Sequence, residues 1–289
     1  SVWVFLILGL VAASQSGNII RIGEAHPVAI AAWRLLLASL LLAPLAGRRL
    51  GQLLRLDPRE RMLLILAGVA LALHFFAWIT AVQWTTVANA AIFFAINPVL
   101  TAGAAWWVYG ERASWRLLAA IVVGLCGVVV IGLDDLDLSV ASVAGDAMAL
   151  LCSLLFTVYF LAGKGLRRKL DNRAYVTGIY GVAALVSFAV LGLLGLPLVD
   201  YSARTWLCFG LMALVPTLIG HTSFNHALRY LSAGRISALT LSEPLLAAGV
   251  AYYAWGEIMR PSAMLGYGLI VLSVFVQLSD GLGAKSAKT

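Results

Sequence analysis

Shifted by 146 residues, the interval from Asn97 to Glu243, the second half of this chain falls onto its first half. Asn97-Pro98 meets Glu243-Pro244, Ala81 meets Ala227 and Trp84 meets Tyr230. Gly103 meets Gly249, Trp106-Trp107 meets Tyr252-Tyr253, and Gly110-Glu111 meets Gly256-Glu257. Each copy carries five long apolar stretches, an odd number. Two odd-span copies joined head to tail enter a bilayer from opposite sides. An inverted repeat of this kind places a solute site between its halves, near mid-membrane. The expected halves are 1–137 and 138–289, together one transport unit.

Composition makes the bilayer the relevant solvent. Hydrophobic residues are 62% of the chain and charged residues 11%, against about 25% charged in soluble domains. A helical span needs about 20 apolar residues. Such stretches fall at 2–22, 27–46, 61–82, 87–108, 114–133, 143–163, 174–196, 204–228, 233–255 and 261–279. The fold class expected is an all-α polytopic membrane protein with ten transmembrane helices as two inverted five-helix repeats. Helices are favoured because each satisfies its own backbone; the alternating short strands of a membrane barrel are absent. Ser1 opens the chain in place of Met, so a short preceding segment is expected. No small-residue cleavage site follows 2–22, which therefore reads as a span.

The longest connection, Gly47 to Arg61, is too short for a nucleotide-binding domain, and no Gly-rich loop ends in Gly-Lys-Ser/Thr. ATP-driven transport by this chain alone is excluded. No cofactor is implied. Cys126, Cys152 and Cys208 lie in apolar stretches and read as small core residues. The net charge of +7 does not point to nucleic acid, because its distribution is that of a membrane protein. With ten spans and the N-terminus in the cytoplasm, sixteen Lys and Arg residues face the cytoplasm, among them Arg48, Arg55, Arg168 and Arg229. Only Arg21, Arg204 and Arg260 face outward, while Asp134, Asp135 and Asp137 lie in an outer loop. The positive-inside rule then puts both termini in the cytoplasm of a bacterial inner membrane.

Polar residues within spans mark cavities or helix contacts. Ser14, Gln15, Ser16 and Asn18 weaken the first span, either as cavity lining or as glue between helices. Arg34 lies about 10 Å along the second span from its outer end; it either snorkels outward or faces a cavity and attracts a carboxylate. His74 and Trp78 share one face of the third span. Asn89, Phe93, Asn97 and Thr101, four apart, form a polar-aromatic stripe that reads as a cavity wall. Proline at 98 frees backbone carbonyls near mid-membrane. Thr217, His221 and Asn225 repeat that spacing in the eighth span. His221 and His226 are five apart, with no His-Glu-x-x-His pattern, so metal ligation is not expected. Glu243 is the carboxylate placed at mid-span. It could bind protons or an ammonium group, or, neutral, hydrogen-bond a neighbouring helix at the proline break. Trp84, Trp106, Trp107, Trp115, Trp206 and Trp255 fall at span ends, as interfacial belt residues do. Spans five and ten, rich in glycine, read as peripheral packing helices.

The two Gly-Glu pairs at 110–111 and 256–257, Asn97-Pro98, Ser242-Glu243-Pro244 and the segment Pro27-Val-Ala-Ile-Ala-Ala-Trp-Arg34 resemble the EamA-type drug/metabolite transporter superfamily over essentially the whole chain. Within it the chain looks most like the YddG-type exporters of aromatic and other amino acids. The resemblance implies ten helices around a central cavity walled mainly by helices 1–4 and 6–9, and export of amino acids or other small metabolites.

The reading that follows is a secondary transporter exporting neutral and aromatic amino acids by alternating access. Arg34 or the amide-rich helix breaks would meet the carboxylate. Glu243, freed carbonyls or the Trp78 face would meet the ammonium. His74, Trp78, Phe93, Tyr159 and Tyr180 would hold the side chain, with Asn97, His221 and Gln15 completing the site. The rival reading is a multidrug or lipophilic-cation exporter built on Glu243 in an aromatic cavity. An intramembrane enzyme would need a nucleophile–base pair, which does not appear. The partners expected are the amino acids and the lipid bilayer, with a monomer sufficient.

Overall fold

The computed structural model describes residues 2–133, 139–256 and 261–286. Asp134, Asp135, Asp137, Glu257, Arg260 and Lys288, on which parts of the topology and repeat expectations rest, lie outside the described residues. The spans are α1 (Val2–Ile20), α2 (Pro27–Ala46), α3 (Pro58–Trp84), α4 (Val87–Tyr109), α5 (Trp115–Gly132), α6 (Val140–Arg167), α7 (Asn172–Leu193) and α8 (Ala203–Ala227). Two more follow: α9 runs through Ala233–Leu239 and Glu243–Trp255, and α10 is Ala263–Ser286. Among the described residues eight helices have the length and apolarity to cross a membrane. α9 and α10 are not among the eight, and the apolar part of α10 is Ala263–Ser279.

Local chemistry sets the helix starts. Asp57 and Glu60 form a reciprocal capping box at α3, with Pro58 pre-set for the first turn. Thr86 caps α4 by accepting the amide of Asn89, and its repeat counterpart Ser232 caps α9 through the amide of Arg235. The ends match too. Gly110 and Gly256 close α4 and α9 at φ 65° and 67°, a left-handed conformation that favours glycine.

Packing follows the repeat. α1 packs on α8 as α6 packs on α3; α4 on α6 as α9 on α1; α2 on α8 as α7 on α3. The pairs α2–α7, α4–α9 and α5–α10 join equivalent helices. These pairs map onto one another when the halves are exchanged, as a pseudo-two-fold axis requires. At α5–α10 a Cβ on Gly127 would stand 2.8 Å from the carbonyl oxygen of Gly266, so only glycine lets the backbones meet there. Of the cysteines, Cys152 and Cys208 are buried, but Cys126 is exposed on the outer face of α5 and is not the core residue expected. That face is apolar, with Val122 and Val129 also exposed, and a thiol is compatible with lipid contact.

Candidate functional site

Four spans depart from regular α-helix among the described residues, and each departure contributes lining to one central cavity. α1 is interrupted at Ser14–Gln15, where the Ser14 hydroxyl donates to the Val11 carbonyl at 2.8 Å. α4 is interrupted at Ala95–Ile96, ahead of Pro98. α9 tightens to a 3-10 turn at Thr240–Ser242, ahead of Pro244. α8 widens to a π-helix over Ala213–His221, around Pro216. Proline removes a donor from the ladder, and in a bilayer the loosened carbonyls need new partners. Ser153 donates to the Phe94 carbonyl at 2.8 Å, Thr240 to Ser237 at 2.7 Å and Ser242 to Leu239 at 2.7 Å. The Phe94 carbonyl, four residues ahead of Pro98 and expected to be free at mid-membrane, is therefore taken by a hydroxyl.

The cavity has a volume of about 70 Å³. Polar lining comes from Ser14, Ser16 and Gly17 of α1 with Thr240 and Glu243 of α9. Aromatic lining comes from His74, Phe75 and Trp78 of α3, Phe94 of α4, Phe156 of α6, and His221 and Phe224 of α8. His74 sits among rings, 5.2 Å from Phe75, 5.3 Å from Phe156 and 5.9 Å from His221. Its Nδ1 lies 3.1 Å from the Cys152 carbonyl. The same nitrogen lies 3.1 Å from Cys152 Sγ; it donates to the carbonyl when protonated and accepts from the thiol when not. Trp78 is held edge-on to Phe94 at 5.7 Å and donates to the Ser16 hydroxyl at 3.2 Å. Glu243 opens the second half of α9, where a carboxylate suits the positive end of the helix dipole. No described hydrogen bond ties its side chain to a neighbouring helix.

Of the residues singled out in the sequence, Ser14, Ser16, His74, Trp78, His221 and Glu243 line this cavity. The other candidate site residues do not line it. Asn97 is a buried knot between helices: its amide donates to the Ser153 carbonyl at 3.0 Å and to Thr157 Oγ1 at 3.3 Å, while its oxygen accepts from Thr101 and Ser237. The Asn89–Thr101 stripe turns toward α6, as Asn89 shows by donating to Ser142 Oγ at 3.4 Å. The cavity face of α4 is instead Val87, Ala91, Phe94 and Ala95. Phe93 packs beside Ala81, Ala90 and Ala149. Gln15 donates to the Leu246 carbonyl at 3.4 Å and accepts from Asn18 at 2.9 Å, joining the break in α1 to α9. Tyr159 accepts from the Asn225 amide. Arg34 does not snorkel: it is 1% exposed and lies over the inner ring of Phe75. Arg34 and its repeat counterpart Tyr180 meet on one residue, Thr217, through its hydroxyl at 2.9 Å and its carbonyl at 3.2 Å.

Phe75, Phe94 and Phe156 were not legible in the sequence, since an aromatic in an apolar span signals packing first. One clue existed: Phe75 is the repeat counterpart of His221, and their rings meet at 4.9 Å. The wall also departs from the one implied by resemblance. α2 and α7 pack on each other and contribute nothing to it, whereas α5 contributes Val128.

Ten helices in two exchanged halves around a polar–aromatic cavity define a multi-pass membrane transporter. The chain belongs to the EamA-like transporter family, whose model matches residues 1–133 and again 143–279. It is 28% identical over 258 residues to the uncharacterized transporter YwfM of Bacillus subtilis, covering 88% of this chain and 84% of that protein. It is 27% identical over 300 residues to a probable terminal-alkyne amino-acid exporter of Streptantibioticus cattleyicolor, covering 99% and 95%. A crystal structure of a protein 18% identical superposes with a TM-score of 0.80, covering 100% of this chain and 99% of that one. That likeness shows the fold.

Proposed function

We propose that this transporter exports amino acids, neutral and aromatic ones included, by alternating access between its halves 1–137 and 138–289. The observation that carries this reading is the make-up of the cavity wall: Glu243 of α9 and rings from α3, α4, α6 and α8 line the same cavity. A carboxylate without a protein partner suits an ammonium group, and an aromatic wall suits an apolar side chain. Likeness along nearly the whole chain to a probable amino-acid exporter supports the same reading. The breaks in α1, α4 and α9 are the flexible points, and all three border the cavity.

Uptake of a panel of labelled amino acids into liposomes holding the full chain tests it. Saturable uptake is expected, and Trp78→Ala is expected to reduce it about tenfold while folded protein stays near normal. The loss reflects removal of one desolvated aromatic face, about 1–2 kcal/mol. Unchanged uptake would make Trp78 a packing residue. Competition by lipophilic cations, with none by amino acids, would favour the cation-exporter alternative.

In the bacterial inner membrane, the basic connections at 47–61 and 164–173 face the cytoplasm, as do both termini. A single cysteine introduced beside Arg55, in a chain lacking the three native cysteines, is expected to resist a membrane-impermeant maleimide in intact cells and to react after lysis. Labelling from outside would overturn this orientation.

A further inference from the structure

Among the described residues, the buried cations Arg167 and Lys164 are met by acceptors, and Arg34 is not. Arg167, 1% exposed, donates from Nε to the Asn225 carbonyl at 2.9 Å and from Nη1 to that of Leu170. Lys164 pairs with Glu111 at 2.6 Å and donates to the Leu231 carbonyl at 3.0 Å. Arg34, equally buried, spends only Nε, on Thr217 Oγ1. Its Nη1 and Nη2 are enclosed with no hydrogen-bond partner among the described residues. The guanidinium carbon lies 3.8 Å from the centre of the Phe75 ring. A cation–π contact offsets part of the desolvation of a buried charge, but it leaves two donor groups unmet. The groups around the guanidinium, Thr217 and Tyr180, are neutral hydroxyls.

A second orphan lies against the same ring. His221 meets Phe75 edge-on at 4.9 Å, and its Nδ1 is also buried without a partner. Phe75 and His221 both line the cavity, so one phenyl ring stands between the cavity and the guanidinium. Thr217 and His221 are on one face of α8, in the π-helix. A widened turn of this kind is a common feature of functional sites.

We propose that Arg34, with Nδ1 of His221, is an anion-binding site behind the cavity, entered when the Phe75 ring swings aside. The chemistry it recognises is one negative charge able to accept from a planar fork of N–H groups. A substrate carboxylate and a chloride ion both supply that charge. The carboxylate form rests on the amino-acid reading above; the chloride form does not.

Thermal unfolding of the full chain in lipid nanodiscs, in sulfonate buffer free of chloride and carboxylate, reads the site directly. Sodium propionate and sodium chloride are titrated, with propionamide as the neutral control. The expected result is saturable stabilisation by at least one anion and none by propionamide. A propionate response assigns the seat to a carboxylate; a response to chloride alone assigns it to the halide. Arg34→Lys keeps the charge but loses the fork, so its midpoint is expected to rise at least about tenfold; Arg34→Gln is expected to lose the response. If the Gln variant does not fold, the Lys variant against wild type decides. No saturable response in wild type, or an unchanged midpoint in Arg34→Lys, overturns the proposal. An intact anion response in a chain that moves no amino acid would overturn the transport reading and leave this site standing.

Discussion

Replacing Glu243 with glutamine is expected to raise the amino-acid concentration for half-maximal exchange by about 10- to 100-fold, with the protein still folded. A hydrogen bond to a charged partner is worth about 1.5–3 kcal/mol, and each 1.4 kcal/mol is a factor of ten in affinity. Glutamine keeps the shape of the side chain and its place at the start of the half-helix. It loses the negative charge that an ammonium group would meet. Because no described hydrogen bond links Glu243 to another helix, little of the fold depends on it. Counterflow in liposomes at several substrate concentrations measures the effect, with far-UV circular dichroism as the check on folding. An unchanged half-saturation constant would remove Glu243 from substrate binding.

Asn97→Ala is expected to act in the opposite way, costing about 2–4 kcal/mol of stability. Asn97 occupies the position equivalent to Glu243 in the first repeat, but its amide group joins three helices. It donates to Ser153 and Thr157 of α6 and accepts from Ser237 of α9 and Thr101 of its own helix. A single interhelical bond in a membrane averages about 0.6 kcal/mol and reaches about 1.7. Removing a shared hub strands several buried groups together and leaves a void. Reversible unfolding in mixed micelles, followed by tryptophan fluorescence, measures the loss. Stability equal to wild type would show that the hydroxyls find other partners and that Asn97 is no hub.

These two positions show how far the repeat could be read. Their equivalence is visible from the alignment of Asn97-Pro98 with Glu243-Pro244, and both were expected at mid-membrane on a cavity wall. Only one is on that wall. Four-residue spacing marks a shared helix face but does not say what that face meets. The break at Ala95–Ile96 directs Phe94 and Ala95 to the cavity and the asparagine stripe to α6. Arg34 shows the same limit. Its depth within α2 was legible, but the choice between snorkelling and a cavity position omitted the arrangement observed, burial behind Phe75. That arrangement depends on α3 and α8 meeting at the ring, a contact between distant parts of the chain.

The sequence by itself determined the solvent, the span count, the repeat and many of the helix boundaries. Those follow from short-range quantities: apolar length against bilayer thickness, Ser, Thr and Asp at helix starts, and glycines at 110 and 256 that close equivalent spans. Tertiary structure decided which polar groups are satisfied and which are left open. Gln15, Asn97, Tyr159 and Tyr180 resemble Glu243 and His221 in the sequence, each a polar or aromatic residue in an apolar span. Packing brought partners to the first four, whereas among the described residues the Glu243 carboxyl, Nδ1 of His221 and two nitrogens of Arg34 have no hydrogen-bond partner. A hydrogen bond requires a partner within about 3 Å, and where such partners lie on other helices only the assembled bundle determines whether they arrive.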